Sequence, residues 1–188
     1  MKFNEFNFEP VLMEGIQTMG FETATPVQEK SIPPILEGKD VMALAQTGTG
    51  KTAAFLLPVV NQIIKTNRTG KTRALIVVPT RELAMQIDQQ MEGLSYFTPV
   101  SSIAIYGGAD GESFIREQTA LKTGAEIIVC TPGRMIAHLN QGYFDFSELD
   151  FLVLDEADRM LDMGFYNDIQ RIIRYLPDKR QNLFFAAT

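Results

Sequence analysis

The chain has 188 residues, 45% hydrophobic and 21% charged, ordinary globular usage that excludes a disordered or low-complexity assignment and allows one sizeable core. Acidic residues outnumber basic ones, 23 against 17, for a formal charge of -6. The molecule as a whole therefore does not attract polyanions, and any nucleic-acid site has to be local.

The N-terminal MKFNEFNFEP lacks the basic and apolar parts of a signal peptide, and no later apolar run approaches the roughly 20 residues that cross a bilayer. A cytoplasmic protein with no membrane contact is expected. Two amphipathic stretches, 10–19 and 28–36, predict a helical lead-in over 1–36 that is part of the same domain as the rest. From residue 37 onward, apolar runs of strand length alternate with longer segments of helical period. The runs are VMALA at 41–45, ALIVV at 74–78, SIAIY at 102–106, EIIVC at 126–130, FLVLD at 151–155 and NLFFA at 182–186. This alternation predicts an α/β fold with a mainly parallel sheet and helices on both faces. The continuous apolarity of the runs predicts that both faces are covered. Segment 67–72 reads as a plain exposed loop. The only cysteine, Cys130, closes the fourth run as a buried strand end. The only histidine, His138, reads as an ordinary helix residue, and together the two exclude an intrachain disulfide and a Cys/His metal cage.

In such sheets ligands bind beyond the carboxyl ends of the strands, so the residues just after each run are the informative ones. After the first run stands AQTGTGKT, 45–52, a strand end, a glycine-bearing loop and a helix starting near Lys51. This is a P-loop in its required context. Gly48 and Gly50 let backbone N–H groups curl round phosphates, the helix N-terminus adds a favourable dipole, Lys51 supplies charge, and the Thr52 hydroxyl is placed for Mg2+. Ala45 stands where the usual pattern has Gly.

After the fifth run comes DEAD, 155–158. Asp155 is a candidate for holding Mg2+, through water or directly, and Glu156 for orienting and deprotonating an attacking water. An acidic helix N-terminus is the alternative reading of these carboxylates, weakened by the P-loop beside them.

With PTRELA at 79–84 and TPGR at 131–134, these motifs occur in the order and approximate spacing of the DEAD-box helicases, and the chain resembles the first, RecA-like domain of that family over almost its whole length. GFETATPVQ, 20–28, is similar to the family's adenine-reading Q motif, with Ala24 and Val27 in place of the commoner Pro and Ile. The resemblance implies an ATP site formed by Phe3, Phe21, Glu22, Gln28, Gln46, Thr47, Gly48, Thr49, Gly50, Lys51 and Thr52. In it Gln28 reads adenine, Phe3 stacks on the base and Phe21 supports the pocket. Catalytic roles fall to Glu156, Lys51 and Asp155, with Mg2+ at Thr52 and Asp155.

The resemblance also implies RNA as partner, gripped by Pro79, Thr80, Arg81, Gly107, Gly108, Thr131, Pro132, Gly133 and Arg134, with the helix over 135–141 as a wedge that bends the strand. PTRELA and TPGR read by themselves are equally strand-to-helix turns. A second RecA-like domain, absent from 1–188, is expected to supply arginine fingers, so the chain alone should bind nucleotide and barely hydrolyse it. Asp158, Ala186 and Thr188 would couple hydrolysis to strand separation. Ala186 departs from the Ser of the family's Ser-Ala-Thr motif and removes a hydroxyl expected to bond toward Asp158. Two rivals remain at this stage: a P-loop ATPase acting on DNA or protein, which the Q motif argues against, and an ATP-gated RNA clamp, to which Ala186 lends weight.

Overall fold

The apolar runs fold as six short strands, the first five each leading into a helix, in a computed structural model that describes residues 1–67, 70–107 and 111–187. The strands are β1 (Val41–Leu44), β2 (Ala74–Val77), β3 (Ser102–Ile105), β4 (Ile127–Cys130), β5 (Phe151–Leu154) and β6 (Gln181–Ala186). The helices are α1 (Pro10–Thr18), α2 (Pro26–Leu36), α3 (Lys51–Thr66), α4 (Arg81–Ser95), α5 (Gly111–Thr123), α6 (Pro132–Leu139), α7 (Ala157–Asp162) and α8 (Tyr166–Ile173). Every strand pair is parallel, in the order β1-β6-β5-β2-β4-β3, as the alternation of strands and helices predicts.

Because side chains alternate across a strand, each central strand feeds two cores. Ala74 and Ile76 of β2 enter a core with Ile32 of α2, Phe55 and Val59 of α3, and Ile87 of α4. Leu75 and Val77 enter the other with Leu121 of α5, Met135 of α6, Met160 of α7 and Ile172 of α8. The lead-in joins the first core through Phe3, Phe6, Phe8, Leu12 and Ile16, and a 3-10 turn over Phe3–Phe6 precedes α1.

Two expectations change. The first run is not covered on both sides: β1 is an edge strand whose Val41 and Ala43 pack on the first core while Met42 and Leu44 stay 76% and 65% exposed. Segment 67–72 is not wholly exposed either, since Thr72 is buried and its hydroxyl donates to the Ala125 carbonyl at 3.0 Å; Arg68 and Thr69 lie outside the described residues. Among the described residues no helix is long and apolar enough to cross a membrane.

Candidate functional site

All six strands point the same way, so the segments that follow them emerge at one end of the sheet, sorted by strand order. The glycine loop after β1, Ala186 at the end of β6 and DEAD after β5 lie side by side; PTRELA after β2, TPGR after β4 and Gly107 after β3 follow as a second group. β5 and β2 join the two groups directly, with the Asp155 N–H donating to the Val77 carbonyl at 3.1 Å.

The glycine loop is built for backbone exposure. Gly48 and Gly50 have φ of +82° and +92°, a region closed to most side chains, and Gly50 is the N-cap of α3. A Cβ at Gly50 would meet Gln28 Nε2 at 2.4 Å, so this position needs glycine both for its conformation and for its closeness to α2. Gln46, Thr47 and Gly48 are exposed, Thr49 donates from its hydroxyl to the Gln46 carbonyl at 2.6 Å, and Thr52 is half-buried. Lys51 is buried, and its ammonium donates to the Ala45 carbonyl at 2.5 Å, folded back across its own loop.

Across β6 from this loop, Asp155 is 2% exposed. Burial pushes its carboxyl up to about 6, against the Glu156 N–H that Oδ1 accepts at 2.9 Å and the nearby Lys51 charge. Glu156 is held at φ +51°, a left-handed backbone unusual for a residue with a side chain, and its Oε2 accepts from Arg159 at 3.0 Å. Asp158 Oδ2 accepts the Ala187 N–H at 3.0 Å.

Gln28 and Phe3, both expected at the base, are buried. Gln28 is buried and bonded at both ends: Nε2 donates to the Gly50 carbonyl at 3.1 Å and Oε1 accepts the Thr25 N–H at 2.9 Å. One N–H and one acceptor lone pair of its amide remain. Phe3 is 1% exposed, its ring tilted or edge-on to Phe6 and Phe21 with centroids 5.7 and 5.6 Å away. As folded here, it is a core residue with no open face for stacking. A cleft of about 320 Å³ is lined by Phe3, Phe21, Glu22 and Thr23 together with Lys2, Asn4, Met13 and Gln17.

In the second group, Thr80 caps α4, its hydroxyl accepting the Leu83 N–H at 3.3 Å, above a buried Pro79. Arg81 is 61% exposed, beside the equally exposed Glu82. Thr131 caps α6 with Pro132 in its first turn, and Gly107 and Gly133 are exposed. Gly108 and Thr188 lie outside the described residues. Helix α6 covers most of the expected 135–141 wedge but ends at Leu139. Arg134 breaks the pattern, because its Nε donates to Glu117 on α5 at 2.8 Å and its side chain is only 14% exposed. His138 is no ordinary helix residue either: it is fully buried and its Nε2 donates to the same Glu117 oxygen at 2.7 Å. Glu117 and Arg159 were not singled out in the sequence. A glutamate three residues from Phe114 on the inward side of a helix is the only signal that could have drawn attention to Glu117.

The fold matches that of a solved structure, a DEAD box protein from the hyperthermophile Methanococcus jannaschii, with a TM-score of 0.91 at 36% identity, covering 100% of this chain and 50% of that one. The DEAD/DEAH box helicase profile matches residues 25–188, and the chain belongs to that family. It is 47% identical over 187 residues to an ATP-dependent RNA helicase, CshA, of Listeria monocytogenes, covering 100% of this chain and 35% of that protein. It is 46% identical to a DEAD-box ATP-dependent RNA helicase, CshA, of Geobacillus kaustophilus, covering 99% of this chain and 39% of that protein. The chain thus spans little more than a third of the length of these relatives.

Proposed function

We propose that this chain is the first RecA-like domain of a cytoplasmic ATP-dependent RNA helicase. It binds ATP with Mg2+ at the carboxyl ends of β1, β6 and β5, and the backbone of single-stranded RNA at those of β2, β4 and β3. With a second RecA-like domain of the same polypeptide it hydrolyses ATP and separates short RNA duplexes. The observation that carries this reading is the strand order, which brings the phosphate loop and the acidic motif together on strands separated only by β6 and sets the PTRELA and TPGR helix starts next to them.

In this reading the backbone amides of 46–50 and the N-terminus of α3 bind the phosphates, and Lys51 leaves the Ala45 carbonyl for the terminal ones. Among the described residues no three of His, Cys, Asp or Glu gather as a metal cage. Mg2+ does not need one, because it takes one or two carboxylates and completes its shell with water and phosphate oxygens. Asp155 and Thr52 fit it, and a carboxylate driven up by burial gains from a nearby cation. Bound there, Mg2+ would neutralise charge on the phosphates. Glu156, released from Arg159, orients the attacking water and takes its proton. The free N–H and lone pair of Gln28 read adenine, with Phe21 and Glu22 at the base and Phe3 supporting the pocket from the core. Thr80, Arg81, Gly107, Thr131 and Gly133 face the RNA backbone, where hydroxyls, glycine amides and helix starts give a grip independent of sequence.

Calorimetry tests the reading. ATP and ADP should bind this chain with Mg2+, and Lys51→Ala should weaken them about ten- to a hundredfold, the worth of a hydrogen bond from a charged group. Unchanged ATP affinity in a folded Lys51→Ala protein would remove the phosphate site.

A further inference from the structure

TPGR presents an arginine that looks placed for a phosphate, yet its charge is already used. Arg134 Nε lies 2.8 Å from Oε2 of Glu117, which is 5% exposed at its side chain. The same oxygen receives His138 Nε2 at 2.7 Å, and His138 Nδ1 shares a hydrogen bond with the Tyr143 hydroxyl. Burial, and next the Glu117 carboxylate, push the Tyr143 phenol up, so it stays protonated and able to donate at neutral pH. Arg134 and His138 are four residues apart on α6, and Phe114 and Glu117 three apart on α5, so each pair shares a helix face. The faces interdigitate: the Phe114 ring stacks on His138 at 4.2 Å between centroids, and the Arg134 guanidinium lies 4.8 Å from the Phe114 centroid.

We infer that Arg134 is a positioning residue, clamped by Glu117 and Phe114, which fixes the start of α6 against α5 and makes no contact with RNA phosphate. The inference rests on the RNA face proposed above. Helix α5 begins at Gly111, soon after Gly107 in the chain, and α6 begins at Thr131 and Pro132, so one buried carboxylate ties together the two helices that start at the RNA face. Grip at TPGR then comes from the Thr131 hydroxyl and the amides of the first turn of α6. Arg81 carries the side-chain charge of this face: its own ion pair, with Glu82 at 3.3 Å, is open to solvent on both sides and gives way easily. A buried carboxylate that loses its cationic partner is left uncompensated, which is why the pair holds firmly.

The test is the salt dependence of binding of a fluorescent oligouridylate to this chain, with Arg81→Met, Arg134→Met, Arg134→Lys and Glu117→Gln. Each phosphate neutralised on a single strand contributes about 0.7 to the slope of log K against log salt. Arg81→Met should flatten the slope by about that amount. Arg134→Met and Glu117→Gln should each weaken binding severalfold at unchanged slope. Arg134→Lys should not rescue, because lysine keeps the charge but lacks the planar fork that meets Glu117 and Phe114.

The decisive sign is that of Glu117→Gln. If Glu117 only parks an arginine that swings to RNA, Glu117→Gln raises affinity and steepens the slope, and the inference is overturned. A flatter slope in Arg134→Met overturns it too. Should Arg134→Met fail to fold, the near-isosteric Glu117→Gln still decides. So does the Arg134 Nε–H resonance of the unaltered chain, which should stay in place at RNA saturation while that of Arg81 moves. No RNA binding by the unaltered chain would instead remove the RNA face itself, and this inference with it.

Discussion

The backbone N–H of Ala187 donates to Oδ2 of Asp158 across 3.0 Å, so the last carboxylate of DEAD is tied to the main chain at the end of β6. The hydroxyl missing at Ala186 is thus not the only possible link between these two segments. A serine there would add a charge-assisted bond to the main-chain bond that already exists. Such a bond is worth roughly 1.5–3 kcal/mol when well formed, enough to bias an equilibrium between domain arrangements. In a protein that includes the second domain, Ala186→Ser is expected to raise strand displacement more than RNA-stimulated ATPase. Paired measurement of both activities checks it, and an equal rise in each would leave Ala186 without a role in coupling.

Gln28 should matter to the fold as well as to the ligand. Its amide bonds the Gly50 carbonyl and the Thr25 N–H in a buried setting; in Gln28→Ala the Gly50 carbonyl keeps the Ala54 N–H at 3.1 Å but the Thr25 N–H loses its partner, at an expected cost of about 1–3 kcal/mol of stability. The same variant should lose the preference for ADP over GDP, because guanine reverses the donor at the edge that the amide reads. Thermal melts and calorimetry with both nucleotides separate the two effects. Equal affinity for ADP and GDP in the unaltered chain would sink the adenine pocket.

Glu156 combines a strained backbone with the proposed role of base. A non-glycine residue in the left-handed region costs on the order of 1 kcal/mol, a strain that clusters at functional sites. Glu156→Gly should therefore leave this chain as stable or raise its melting temperature by about 1–4 °C. In the complete enzyme Glu156→Gln should keep ATP and RNA binding and lose turnover, since the amide cannot take a proton. Normal RNA-stimulated ATPase in Glu156→Gln would remove the assigned base.

Cys130, fully buried at the end of β4, has its thiol pushed far up by burial alone. The thiolate is the reactive form, so a neutral alkylating reagent at pH 8 should label the native chain at least about a thousandfold more slowly than the urea-unfolded chain. Mass spectrometry of timed samples reads this directly. Fast native labelling would mean that β4 opens locally.

The strands and the loops after them were legible because their signals are local. Ile127, Ile128 and Val129 form an apolar run wherever they are met, and Gly48 and Gly50 before Lys51 announce a phosphate loop by spacing alone. What stayed hidden depends on partners distant in sequence. Arg134 reads as a free cation until Glu117, on another helix, is seen to hold it. Phe3 reads as a stacking platform until the rings of Phe6 and Phe21 are found against it. The exposed Met42 and Leu44 escaped notice because an edge strand and a central strand have the same composition, and only the pairing order tells them apart.

β5 is stiff as well as central. Leu152 and Val153 have no exposure, and the strand is laddered on one side to β6 and on the other to β2. A small displacement at Asp155 therefore cannot be absorbed within β5. It passes through the 3.1 Å bond to Val77 into the strand that carries PTRELA, a single strand spacing of about 4.8 Å away. Inside this domain the transmission has no hinge and almost no length. Substitutions that loosen the β5–β2 ladder should act like slack in a short linkage, leaving both ligands bound while each loses its influence on the other.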